Sequence, residues 1–172
     1  VYKTAMAKYF GNDSHPLFAS KAFSAKYIYR LAKEEGVGID LVSCGELYTA
    51  LSVGFDVTKA FFHGNNKTDW DINYAIESGV GHFVADNLTE IDKIDEIAFK
   101  HGIIQPIILR LSPGIDPHTH AAITTGQVDS KFGVAIETGQ ADDAVKYILG
   151  KKNVRLDGFH CQELNSKAQL SL

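Results

Sequence analysis

The feature that most constrains this chain is a repeated alternation. Short apolar runs that end in polar or glycine residues alternate with longer stretches of helical period, about six times over. The runs are 16–23, 39–43, 59–64, 81–86, 105–112 and 154–161. Parallel strands need crossover connections, and the segments between the runs have helix length, so the runs read as parallel strands joined by helices. The helical stretches are 26–35, 68–78, 89–100, 139–149 and one opened by Ser43-Cys44-Gly45-Glu46, which has capping-box spacing. Most of them stop at a glycine, as at Gly36 and Gly102. No dinucleotide fingerprint is present, so the pattern predicts an α/β chain of the (β/α) TIM-type barrel class. It is incomplete, with about six of the eight strand-helix units, and the chemistry is expected at the C-terminal ends of the strands.

Composition narrows the partner. The 172 residues are 45% hydrophobic and 22% charged, ordinary for a globular domain with one sizeable core. A net charge of -4 without a basic run lacks the footprint of a nucleic-acid binder, so the expected partner is a small molecule. Cys44 and Cys161 form neither a metal-ligand pair nor a redox pair, which suits a reducing compartment. No apolar stretch has membrane-spanning length and residues 1–15 lack signal-peptide order, so a cytoplasmic location is expected.

Several residues at the strand ends could carry chemistry. Lys21, by period-two alternation, shares a face with Leu17, Ala19 and Phe23. On a barrel-interior face, desolvation would free its amine as a nucleophile; the alternative is a lysine that snorkels at a strand end. Asp40 could orient such a lysine or face solvent, and Glu46 could do the same or simply close its capping box. The segment His63-Gly64-Asn65-Asn66-Lys67 reads either as a loop touching a phosphate or carboxylate or as a turn with Asn capping. Arg110, in a strongly apolar strand, is expected to meet a buried carboxylate or a ligand anion. The segment 113–139 is long and aperiodic, as functional loops are. Within it, His118-Thr119-His120 lacks nearby partners at zinc-site spacing, so no metal is expected, and 126–131 lacks the Gly-Lys-Ser/Thr of a P-loop.

Four strand-end motifs, Phe18-Ala19-Ser20-Lys21-Ala22-Phe23, Asp40-Leu41-Val42-Ser43-Cys44-Gly45-Glu46-Leu47, Phe62-His63-Gly64-Asn65-Asn66-Lys67 and Leu109-Arg110-Leu111-Ser112-Pro113-Gly114, resemble diaminopimelate decarboxylase in order and spacing. That family is a pyridoxal-phosphate-dependent barrel of the alanine-racemase-like superfamily. The loop residues His118-Thr119-His120, Ile123, Thr125-Gly126 and Asp129-Ser130-Lys131-Phe132-Gly133 look like its own signature. The resemblance covers 1–161 and implies pyridoxal 5'-phosphate as cofactor, an amino-acid substrate and a homodimeric full-length parent. It implies that Lys21 carries the cofactor covalently. It also implies that Asp40, Glu46 and Arg110 belong to the network around that lysine, and that His63 and His160 lie in matching strand-end motifs. The implied reaction decarboxylates meso-diaminopimelate to lysine. Alternatives are a related barrel decarboxylase of another basic amino acid, or a non-catalytic fragment.

After Gly158-Phe159-His160-Cys161 the family continues with a second, ring-stacking histidine and a Gly-Ser pair, whereas this chain has Gln162-Glu163-Leu164-Asn165. Residues 1–161 therefore read as a partial pyridoxal-phosphate-binding barrel and 162–172 as a tail that does not match the family. Without that histidine, the phosphate loop and the second domain, the chain alone is expected to be inactive.

Overall fold

The computed structural model describes residues 1–112 and 133–161. In chain order the elements are α1 (Tyr2–Phe10), β1 (Leu17–Ala19), α2 (Lys26–Glu35), β2 (Gly38–Leu41), α3 (Cys44–Leu51), β3 (Ala60–Phe62), α4 (Asp69–Glu77), β4 (His82–Ala85) and α5 (Leu88–His101). They are followed by β5 (Gln105–Ser112), β6 (Val134–Ala135), α6 (Gln140–Leu149) and β7 (Val154–Cys161). Every strand pair is parallel, with Ala19 opposite Asp40, Leu41 opposite Phe62, Phe62 opposite Phe83, Ala85 opposite Leu109 and Arg110 opposite His160. The order is β1-β2-β3-β4-β5-β6, with β7 also on β5. This is the parallel strand-helix alternation of an incomplete TIM-type barrel. Among the described residues it is an open sheet, since β1 and β7 each have one strand neighbour.

Period-two alternation sorts the strand residues onto two faces. Ile39, Leu41, Ala60, Phe62, Phe83, Ala85, Ile107 and Leu109 are buried against Leu47, Ala50, Ile72, Ala75, Ile91, Ile94, Ala98 and Ile148 of the helices. Of the alternate residues on these strands Asp40, Phe61, His82 and Ile108 are half-buried, as is His160 on β7, whereas Val84 and Arg110 are buried. The apolar core thus lies between sheet and helices. The opposite face carries the polar residues.

Helix ends follow the sequence where a side chain decides them. Gly36 and Gly102 close α2 and α5 in the left-handed conformation, at φ 61° and 67°. Ser43 caps α3 by accepting from the Glu46 N–H, but the Glu46 carboxylate reaches past the cap to the Val42 N–H at 2.7 Å, so the capping box is half formed. Thr68 and Asp71 form a full capping box on α4, which displaces the Asn65-Asn66 capping expected there.

Three parts of the fold differ from the sequence expectation. The first strand stops at Ala19 and passes into a 3-10 turn over Ser20–Ala22, closed by the Phe23 N–H donating to the Ser20 carbonyl. Its ladder with β2 ends at Asp40, so nothing extends the strand to Phe23. Period two therefore does not govern Lys21, which is exposed rather than set on an apolar interior face, as is Phe23. The second difference is α1, rich in helix formers but with no buried residue; the Lys3 ammonium ties it to the Glu35 carbonyl. The third is β6, inside the stretch read as irregular. Gly133, at φ 78°, lets the chain pass where a Cβ would stand 2.9 Å from the Arg110 carbonyl oxygen.

Candidate functional site

The C-terminal ends of β2 to β5 and β7 bring together residues from five segments. Asp40 comes from β2, and His63 follows β3, its N–H donating to the Leu41 carbonyl. The His63 Nε2 lies 3.3 Å from Asp40 Oδ1, within ion-pair range but outside hydrogen-bond orientation, since that oxygen has no hydrogen-bond partner. His160, on β7, meets His63 edge to face with ring centroids 5.0 Å apart. Arg110, opposite His160 in the β5–β7 register, donates to Asp86 at 3.3 Å, both side chains being nearly fully buried. The expectation that Arg110 meets a buried carboxylate is met by this pair.

The remaining candidates stand apart from that cluster to different degrees. Lys21 lies at the same end of the sheet, exposed in the turn after β1, beside buried Ser20. Glu46 caps α3 and is half-buried; burial raises its carboxyl above the ordinary range, against the opposing Val42 N–H. Lys67, read as a possible phosphate or carboxylate contact, is buried and bound to the Glu90 carboxylate. His118 and His120 lie outside the described residues, as do 126–131 and Gln162. No group of three or more His, Cys, Asp or Glu among the described residues could hold a metal ion. No helix among them is long and apolar enough to cross a membrane.

Sequence reasoning missed Asp86 as a site residue. The only signal in the sequence was its place at the end of the 81–86 run; the register, with Ala85 opposite Leu109, is what sets Asp86 next to Arg110. Cys44 is a packing residue: burial, then Asp71, pushes its thiol up to about 12, far from a reactive thiolate.

Electrostatics bind the cluster into one unit. Burial lowers His160 from 6.5 to about 4, helped by the nearby charges of His63 and Arg110 and opposed by Asp40 and Asp86. His160 is therefore neutral near pH 7. Between about 4 and 6.5 an unfolded chain binds a proton that the folded chain refuses, so stability is present above that window and falls as pH drops through it. The full shift corresponds to at most about 3 kcal/mol, reduced to roughly 1–2 kcal/mol by water screening of a half-buried ring. Urea unfolding at pH 7, 5.5 and 4 is expected to show this loss, and His160→Gln to flatten it while leaving the carboxylates' contributions in place. An unchanged slope in His160→Gln would remove the assignment. Asp157, pulled down to about 2 by Arg155, adds its loss only below its ordinary value of 3.8.

Four buried polar atoms at this end, Ser20 Oγ, Asp40 Oδ1, Asp86 Oδ2 and His160 Nδ1, have no hydrogen-bond partner. Buried polar groups are ordinarily satisfied, so a cluster of orphans marks a place for a polar ligand. A hydroxyl, two carboxylate oxygens and a ring nitrogen suit a ligand with several hydrogen-bonding groups, donors for the carboxylates among them.

This chain belongs to the pyridoxal-dependent decarboxylases, whose pyridoxal-binding domain it matches over residues 2–166. Within that family it is similar to diaminopimelate decarboxylases. It is 48% identical over 151 residues to the diaminopimelate decarboxylase of Bacillus methanolicus, covering 88% of this chain and 35% of that protein. Against that of Staphylococcus aureus (strain COL) it is 46% identical over 144 residues, covering 84% and 34%. The crystal structure of the M. jannaschii diaminopimelate decarboxylase in complex with L-lysine superposes with a TM-score of 0.81 at 34% identity, over 94% of this chain and 38% of that one. The chain thus spans about a third of the length of the relatives it matches.

Proposed function

We propose that this chain supplies the strand-end portion of a pyridoxal-phosphate site, and that the protein it builds decarboxylates meso-diaminopimelate to lysine. The observation that carries this reading is the gathering of Asp40, His63, Asp86, Arg110 and His160 at the end of the sheet where Lys21 also lies. Identity of 48% and 46% to diaminopimelate decarboxylases, and the L-lysine bound to one structural neighbour, support the choice of substrate. A cytoplasmic location and a homodimer belong to the same reading.

Lys21, exposed in its turn, presents its amine for attachment of the cofactor. The bound cofactor supplies an electron sink for loss of the substrate carboxylate as CO2. Asp40 and His63 form a carboxylate–imidazole pair that can hold or move a proton at His63 Nε2. The Arg110–Asp86 pair fixes a buried cation and anion beside His160 and orients the Asp86 carboxylate, whose Oδ2 is left open to a donor. Neutral His160 adds a ring nitrogen without adding charge.

The reading is tested by placing the matching segment of this chain into the Bacillus methanolicus relative and measuring CO2 release from meso-diaminopimelate, lysine, ornithine and arginine. A kcat/KM for meso-diaminopimelate at least about tenfold above each other substrate is expected. Preference for any of the others would overturn it.

A further inference from the structure

Below the strand ends lies a second set of buried charges that the proposed chemistry does not use. The Lys67 ammonium, on a side chain 2% exposed, donates to the Gly64 carbonyl at 2.7 Å, the Val84 carbonyl at 2.8 Å and Glu90 Oε1 at 2.5 Å. An ammonium has three donors, and all three are used. Each acceptor lies on a different element: Gly64 in the loop after β3, Val84 on β4, and Glu90 in the first turn of α5. Glu90 Oε2 in turn faces the Asp86 N–H at 3.5 Å, a long contact.

The two ends of this arrangement touch the site. Gly64 is the residue after His63, so the bond to its carbonyl fixes the loop that carries the His63 ring. Glu90 and Val84 fix the backbone on both sides of Ala85 and so the position of Asp86, the partner of Arg110. A plain stabilising role does not explain the choice of residues. A buried ion pair repays its desolvation poorly, and burial raises the Glu90 carboxyl despite the Lys67 ammonium beside it. An apolar pair would hold the core as well. It would not hold three separate segments at fixed hydrogen-bond lengths.

We infer that Lys67 and Glu90 are positioning residues for the cofactor site, acting through Gly64 on His63 and through Val84 and the Asp86 backbone on the Asp86–Arg110 pair. Its functional sense rests on the reading of the strand ends as a pyridoxal-phosphate site. The geometric part stands on the contacts alone.

The test uses the 172-residue chain and three variants, Lys67→Met, Glu90→Gln and the double variant Lys67→Met/Glu90→Leu, with two readouts. The first is the titration midpoint of His160 by imidazole proton NMR, assigned with His160→Gln. That midpoint reports first the burial of the ring and then the placement around it of His63 after β3, Arg110 on β5, Asp40 on β2 and Asp86 after β4. The second is affinity for pyridoxal phosphate. In the double variant, which leaves no buried charge unpaired but removes the donor to the Gly64 and Val84 carbonyls, the His160 midpoint is expected to rise by at least about one pH unit. Cofactor affinity is expected to fall about tenfold, the scale of losing a support behind a ligating group. Should the double variant not fold, Glu90→Gln, which preserves shape, decides by the same criteria. A folded variant whose His160 titration is unchanged overturns the inference. Parent chain that fails to bind pyridoxal phosphate overturns the functional reading instead, and the NMR titration still decides the positioning role.

Discussion

Replacing Lys21 with alanine is expected to abolish borohydride-stable labelling of the chain by pyridoxal phosphate, with peptide mapping of the parent placing the label on Lys21 alone. In the Bacillus methanolicus relative carrying this segment, the same substitution is expected to lower turnover on the order of a thousandfold or more, about 4 kcal/mol of barrier, because covalent attachment has no substitute route. The effect should be almost purely functional. Lys21 is exposed and makes no side-chain hydrogen bond or ion pair among the described residues, so the thermal midpoint should stay within about 2 °C of the parent. Labelling spread evenly over the surface lysines, or a variant that keeps a tenth of the parent's turnover, would remove Lys21 from the site.

The 172-residue chain assayed by itself is expected to release CO2 from meso-diaminopimelate at least about a thousandfold more slowly than a full-length relative, because several holders of the reacting groups are lost together. The physical ground is the exposed polar face of the sheet. Asp40, His63 and His160 are half-buried where a closed barrel would enclose them, and among the described residues β1 and β7 each have one strand neighbour. Water reaching such a site weakens each electrostatic contact and leaves a bound ring free to tilt. Saturating cofactor should not restore the rate. Turnover within about tenfold of the relative would show that the 172 residues suffice.

The architecture was legible because the alternation is strong and local. Strands such as Gln105–Ser112 and Val154–Cys161, and the helix Lys26–Glu35, are continuous patterns whose ends are set by nearby residues, and sequence and structure agree on their bounds. What failed depended on neighbours in space. The first strand was read too long because its apolar run continues past Ala19, while the partner ladder does not. The helix α1 buries nothing, so no hydrophobic stripe announced it. In the site, Asp40, His63, Arg110 and His160 were visible as strand-end polar residues. Asp86 was not singled out, since its importance comes from the register that sets it beside Arg110. Lys67 was seen only as part of the 63–67 segment, read either as a ligand-touching loop or as a turn, because a sequence cannot show that Glu90, 23 positions away, takes its charge.

The strand order carries a consequence for how the chain reaches this fold. From β1 to β5 each strand lies beside the one synthesised before it, and paired residues such as Ala19 and Asp40, Ile39 and Ala60, or Phe61 and His82 recur at nearly constant separation. That separation is roughly 20 to 25 residues, so each new pairing closes a loop of similar, modest entropy, and no step waits for a distant segment. Parallel sheets are usually slow to form because their contacts are remote in sequence. From β1 to β5 the remoteness is divided into nearly equal short intervals, and this part of the sheet can lengthen one unit at a time as the chain emerges, whereas the pairing of Gln105 with Val154 spans a longer interval.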